Sequence, residues 1–492
     1  MTSGLRAGAV RVVSSWGPEE RDAVLYSGSA LFAISTAQVS SITLYQQWGK
    51  LATGPYVVGA MLSALAARRL RRRPAPLADP GTPSWHWTTP RTVIFLLVLL
   101  GATLMPLSLE VLWRTDAGGT SHVQPEVVVV EHSGARVLHG QDPYQVVDGG
   151  RTKVTAPAGQ AAYVVYNPYL PLMSVFGIAH GTKAPARLTD ARVIFSLMTI
   201  VVVVVALAMC RGPTGPRVLA LQSMTVLPTA ALPLATGGDD LPVAALMLLA
   251  LVLLQRRRPL ASGITLGIAA SMKITAWPLA AIGLLAARQR DGRQGRRPVL
   301  LMAAGMAGVM LPAILPTALS NVAAFVDNVV RFPLGLAGIS SPAASPLLGH
   351  AVVSAFPAVH RIFPVAVAGI GGALLLYVLV RRTPRTPAAV AQLLGWAMTV
   401  AILMAPATRI GYFLYPVDFF VWAWLLRNEG AAEDRAGAEH RPGLTDNVEL
   451  QDWSDAAKSR SDIGVTPAAG TAMPGTDEWN TLGETVTPSS HS

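Results

Sequence analysis

Four short stretches of this chain hold ionisable residues where their apolar surroundings give least reason for them. They are "PEVVVVEHSGARVLHGQDPY" (125–144), "GGDD" (237–240), "SMKIT" (271–275) and "ATRIGYFLYP" (407–416). In the first, positions 127, 130, 134, 137 and 138 make a helical stripe. Glu126 stands at the N-terminal end of that helix, where an anion is favoured, and an ionised carboxylate so placed can act as a general base on a hydroxyl. Glu131 on the same helix is the reserve for that role, expected to be solvated. Gly140 should end the helix and Gln141-Asp142-Pro143-Tyr144 should turn the chain back. Asp142 and Tyr144 lie in that turn. In "GGDD", one of Asp239 and Asp240 is expected to cap the helix that follows. The other is left for a sugar hydroxyl or a metal ion, although two acids are few oxygens for a hard cation, and no metal site is assigned. Lys273 is the only charge between Arg258 and Arg288. A lysine at membrane depth costs a few kcal/mol and by default marks function. Lys273 and Arg409 are therefore candidates to hold a phosphate, Arg409 with bidentate geometry. Asp418, nine residues beyond Arg409, needs a partner or a proton and is expected to be paired structurally.

The composition says what kind of molecule must position these groups. Of 492 residues, 51% are hydrophobic and 14% charged, with a mean hydropathy of +0.43. Soluble domains carry about 25% charged residues, so the reading is a polytopic membrane protein. The net charge of +11 hides an asymmetry, since residues 428–492 hold twelve Asp and Glu against four Lys and Arg. The basic residues elsewhere cluster at the ends of apolar runs, as positive-inside topology requires, which argues against a nucleic-acid partner. Cys210 is the single cysteine, so no intrachain disulfide or cysteine-based zinc site can form. The first 24 residues lack an apolar signal core, and the first transmembrane helix is expected to drive insertion. No Walker A motif, dinucleotide fingerprint or Gly-x-Ser-x-Gly elbow is present. His122, His132, His139 and His180 have no ligand spacing and read as surface residues.

Apolar spans are read at 25–45, 52–68, 91–113, 192–210, 217–236, 240–255, 298–318, 363–380, 388–408 and 411–427. Basic clusters at 68–73, 211–217, 255–258, 288–297 and 381–385 should share the cytoplasmic side. Parity then makes 163–180, with Pro168 and Pro171, a re-entrant or interfacial segment. Residues 259–287 must cross twice, as a hairpin of two short helices with its tip at "SMKIT". The sum is an all-α fold of about twelve transmembrane helices with both termini cytoplasmic. It has outside loops at 114–191 and 319–362, an outside link at 237–240, and a disordered acidic tail from Asn428. The helix after Glu126 is expected to lie over the outer membrane surface.

In order and spacing, these motifs resemble glycosyltransferase family 87, polytopic enzymes of the GT-C fold. The first outside loop matches at Glu126, at Gly140 fourteen residues on, and at Pro143-Tyr144. "YNPYLPLMSVFG" (166–177) is similar to the family's Tyr-Pro-Pro-Leu region. "TGGDDLPVAALMLLALVLL" and "SGITLGIAASMKITAWP" are similar to its later helices, with Lys273 at the matching lysine. Two departures are visible: Glu126 replaces the usual Asp, and Val130 stands where an aromatic residue is usual. The resemblance implies an inverting plasma-membrane transferase that moves a mannose-like sugar from a polyprenyl-phosphate donor to a cell-envelope lipid or glycan on the outer face. The loop carboxylate would be the base and cationic groups would hold the departing phosphate, with no cofactor and no obligatory metal. The resemblance also makes Asp142 and Tyr144 candidates for acceptor or sugar contact. The residues alone leave Glu131 or Asp239 open as the base. A transporter or flippase, or a non-catalytic membrane scaffold, also stays open as a reading.

Overall fold

A helix that is apolar all the way round is stable only when covered on every side. Asp240–Gln255 is that helix here, with every residue except Leu249 buried. The computed structural model describes residues 16–72, 89–116, 122–145, 162–289, 295–333, 337, 345, 347–359, 362–405 and 408–439. What was expected of residues 1–15, Asp148 and the tail beyond 439 lies outside them. Met1–Asp434 form one unit and Arg435–Ser492 another. The described residues are helical, with no strand among them.

Seven helical stretches are long and apolar enough to cross a membrane: Thr43–Arg72, Pro90–Asp116, Ala191–Ala208, Thr214–Thr236, Arg296–Ser320, Ile362–Arg381 and Pro387–Met404. Asp240–Gln255, Pro259–Met272 and Ile274–Arg288 are shorter and apolar. With Pro18–Val39 and Leu414–Glu439, these fill the twelve expected positions. The first two boundaries differ from the expected ones. The first helix starts at Pro18 because its acidic first turn is held inside the bundle, where buried Asp22 receives two hydrogen bonds from Arg91, at 2.6 and 2.9 Å. The turn comes at 40–42 instead of 46–51.

The hairpin forms where parity placed it. Pro259–Met272 ends at Lys273, which is extended at φ −149° and ψ 138°, and the chain returns as Trp277–Gln289. Small residues let its first arm sit close to Arg296–Ser320. A Cβ on Gly263 would lie 2.1 Å from the Met302 carbonyl oxygen, and one on Gly305 would lie 2.6 Å from that of Leu260. This is the small-residue packing by which membrane helices approach one another.

Pro125–Leu138 forms as expected, and Gly140 follows it at φ +71°. The first part of its apolar stripe is turned into the protein, where Val127, Val130 and Gly134 are buried, while Val137 and Leu138 at its end are exposed. The cover is the 3₁₀ helix Pro171–Gly181. At about 2.0 Å per residue that segment is roughly 22 Å long, short of a bilayer core of about 30 Å, and so it cannot serve as a crossing. The two backbones meet at glycines: a Cβ on Gly134 would lie 2.1 Å from the Gly177 carbonyl carbon, and one on Gly177 would lie 2.0 Å from the Val130 oxygen. Neither backbone can yield without moving its helix. Gly134→Val is therefore expected to destabilise the protein by about 3 kcal/mol or more, seen as a lowered apparent melting temperature. An unchanged melting curve would contradict this packing.

The last helix does not stop at Asn428, where disorder was expected, but runs to Glu439. Buried Glu429 accepts hydrogen bonds from the backbone N–H of Arg211, at 2.7 Å, and of Gly212. Glu433 accepts from Gln255 at 2.9 Å and from Arg256 at 3.1 Å. These contacts fix a segment that looks merely polar in sequence.

Candidate functional site

Three elements carry the candidate residues to one end of the bundle. The hairpin tip presents Lys273, and the start of the Asp240–Gln255 helix presents Asp239 and Asp240 beside it. The Lys273 ammonium donates to Asp239 Oδ1 at 3.0 Å and lies 2.6 Å from Asp240 Oδ1. Neither aspartate caps the helix: Asp239 occupies the cap position but makes no side-chain cap hydrogen bond. The lysine outcompetes the helix N–H groups because a buried ammonium needs a counter-charge. Tyr415 donates to Asp240 Oδ1 at 2.6 Å, and Thr275 shares a hydrogen bond of 2.8 Å with Tyr415. The Tyr169 ring lies under the ammonium, 5.2 Å from nitrogen to centroid, at the distance of a cation–π contact.

Glu126 is at the same end and is ion-paired with Arg409 through Oε1. Its other oxygen, Oε2, is buried and accepts no hydrogen bond, and Asp239 Oδ2 is in the same condition. Burial raises the Asp239 carboxyl to about 6, with Lys273 pulling it down and Asp240 and Glu126 pushing it further up. Burial would lower Arg409, but the Glu126 carboxylate holds it above its ordinary value. Gln124 fixes the approach to Glu126, donating to Tyr45 Oη at 2.9 Å and to Thr236 Oγ1 at 2.7 Å. That pair joins the start of the loop helix to the residue just before Gly237 and Gly238. The result is three carboxylates and two cations, with two buried acceptor oxygens left over. Such a set can receive hydroxyl groups and can compensate an anion.

The other loop candidates are placed elsewhere. Glu131 is not solvated; it is 1% exposed and accepts from Arg114 at 2.9 and 2.5 Å and from the Ala191 N–H at 3.1 Å. Arg114 also donates to Asp190 at 2.8 Å, and Arg192 closes on Asp190 at 2.9 and 2.7 Å. Burial alone would raise Asp190, yet Arg192 and Arg114 hold it below its ordinary value. Glu131 therefore belongs to an ionic brace between the loop helix and its neighbours. Nor is His122 a surface residue, since its Nδ1 lies 3.1 Å from buried Glu110. Asp142 receives the Tyr144 N–H at 2.8 Å and the Ser320 hydroxyl at 3.2 Å, closing the expected turn. Tyr144 is buried and donates to the Tyr169 carbonyl at 2.8 Å, so it supports the residue beneath Lys273. Asp418 is fully buried and makes no ion pair among the described residues; the side chain beside it is the Ser223 hydroxyl.

Sequence reasoning passed over Tyr169, Tyr415, Thr275 and Gln124. Tyr415 stands one helical turn before Asp418, and nothing local distinguishes it from a tyrosine at a membrane interface.

The sequence model described as glycosyltransferase family 87 matches residues 168–406. No curated protein and no solved structure matches the chain. Asp239, Asp240 and Lys273 fall inside the matched range, and Glu126 and Arg409 fall outside it.

Proposed function

The chain belongs to glycosyltransferase family 87 over residues 168–406, a membrane glycosyltransferase family, and we propose that it transfers a mannose-like sugar from a polyprenyl-phosphate donor to a cell-envelope lipid or glycan. The observation that carries this is the Glu126–Arg409 pair with Glu126 Oε2 buried and unbonded beside it. The donor's phosphate competes with Glu126 for Arg409, because a guanidinium binds a phosphate oxygen as well as a carboxylate. Donor binding thus releases the carboxylate. Glu126 then takes the proton from the acceptor hydroxyl, whose oxygen attacks the anomeric carbon from the face opposite the phosphate. The bond from that carbon to the phosphate oxygen breaks, its electron pair stays with the phosphate, and the configuration inverts. Arg409 and Lys273 stabilise the developing charge, while Asp239 and Asp240 orient Lys273 and offer acceptors to sugar hydroxyls. The reaction end of the bundle is the outer face of the plasma membrane in this reading, and no metal or other cofactor enters it.

The test is purified protein given the same hexose on polyprenyl phosphate and on a nucleoside diphosphate. Release of polyprenyl phosphate is expected from the first and no reaction from the second. Turnover of the nucleotide sugar alone would overturn the reading. Arg409→Gln is expected to raise the donor KM by about 10- to 100-fold, the cost of a lost hydrogen bond to a charged group. The same KM in both proteins would remove Arg409 from donor binding.

A further inference from the structure

Beside the start of the loop helix lies an open cavity that the transfer chemistry does not use. It measures about 410 Å³ and, among the described residues, is lined by Gln47, Trp113, Asp116 and His122. Trp113 and Asp116 end the Pro90–Asp116 stretch, and Gln47 lies near the start of Thr43–Arg72. A cavity of this size with a few convergent polar groups has the make-up of a small-molecule site.

His122 is fixed as one of its walls. Its backbone takes φ +58°, a left-handed conformation that strains any residue with a side chain, and strain of this kind clusters at binding sites. Arg192 donates to its carbonyl oxygen at 2.7 Å, and its Nδ1 lies 3.1 Å from Glu110 Oε2. Behind it, the other Glu110 oxygen is buried and makes no hydrogen bond. With Nδ1–H given to that carboxylate, Nε2 is an acceptor. The imidazole stands at 54° to the Trp113 ring, with centroids 5.7 Å apart. The lining thus offers a flat aromatic surface, one carboxylate, one amide and one imidazole acceptor. It holds no lysine or arginine among the described residues; Arg187 reaches Asp116 only at 3.7 Å, and both side chains are exposed. An anionic ligand finds no cation in such a lining. A neutral sugar ring is complementary to it, because its C–H face can lie on an indole while its hydroxyls meet the polar groups.

The cavity is also close to the transfer site. His122 precedes Glu126 by four residues, so the chain between them spans no more than about 14 Å. Gln124, between the two, ties Tyr45 to Thr236, and Tyr45 is two residues from Gln47.

We propose that this cavity is a sugar subsite for the acceptor, which rests on the transferase reading above: a neutral glycan lies with one ring against Trp113 while its terminal hydroxyl reaches Glu126. The acceptor is then an oligosaccharide or the glycan of a glycolipid, and not a bare lipid alcohol.

The test uses the full chain in nanodiscs with mannotriose as the probe, in two measurements that fail separately. In the first, calorimetry without donor, Trp113→Leu should bind mannotriose about tenfold more weakly than wild type, and Asp116→Asn about threefold more weakly. Trp396→Leu, which removes an exposed tryptophan elsewhere, should bind as wild type does. In the second, turnover with the polyprenyl-phosphate hexose donor, Trp113→Leu should raise the KM for mannotriose about tenfold and leave the donor KM and the melting temperature unchanged. Damage to the fold would not give that split. Binding that depends on Trp113 without any turnover would keep the sugar site and overturn the transferase reading. No binding by wild type, equal binding by Trp113→Leu, or equal loss in Trp396→Leu would overturn the subsite, whatever the turnover.

Discussion

Glu126→Gln is expected to lower turnover by about 10²- to 10⁴-fold, the usual contribution of a positioned general base, and to leave the protein folded. Gln keeps the size of the side chain and can still accept a hydrogen bond from Arg409, so the loop helix has no reason to move. What it loses is the capacity to hold a proton taken from the acceptor. Rates measured under saturating donor and acceptor, beside melting curves of both proteins, separate the two effects. Asp239 supplies the contrast. Its carboxyl is raised to about 6 and bound to Lys273, so Asp239→Asn should disturb binding and the lysine before it disturbs proton transfer. Equal turnover of wild type and Glu126→Gln would exclude Glu126 as the base.

Arg114→Leu is expected to cost about 3–5 kcal/mol, because it strips the cation from a buried carboxylate and leaves that charge uncompensated. Arg114 is the joint of the ionic brace: it reaches Glu131 on the loop helix and Asp190 just before Ala191–Ala208. Asp190 keeps Arg192 after the substitution, whereas Glu131 keeps, among the described residues, the Ala191 N–H and His180 at 3.7 Å. The damage should therefore concentrate on Glu131. Removing it as well, in Arg114→Leu/Glu131→Leu, should restore part of the lost stability, since two apolar side chains can replace a buried ion pair at little cost. Folded protein recovered after solubilisation, and its melting temperature, measure both changes. A double variant no more stable than Arg114→Leu would contradict the assignment of Glu131 as that residue's structural partner.

The contrast between Glu126 and Glu131 shows what a linear sequence can reveal. The helix around them, its end at Gly140 and the turn at Asp142 all follow from local chemistry, and each formed where expected. The hairpin with Lys273 at its tip was legible too, because charge parity and bilayer thickness leave a 29-residue apolar segment few alternatives. The partners were not. Arg114 and Asp190 lie 17 residues before and 59 residues after Glu131, and no periodicity announces such a meeting. For the same reason Asp239 read as a helix cap, a local role, until Lys273 arrived from 34 residues away to claim it. The last helix was underestimated for a related cause. "NEGAAEDRAGAE" is polar and carries a glycine, yet its Ala and Glu favour helix, and Glu429 finds backbone donors 217 and 218 residues back along the chain.

The most direct measurement is a cryo-electron microscopy structure of the full chain with a non-transferable polyprenyl-phosphonate sugar. The phosphonate is expected within hydrogen-bond distance, about 3 Å, of Arg409 or Lys273, with the Glu126–Arg409 pair parted and the Glu126 carboxylate turned toward the acceptor side of the anomeric carbon. A phosphonate bound elsewhere, with Glu126 and Arg409 still paired, would contradict the mechanism.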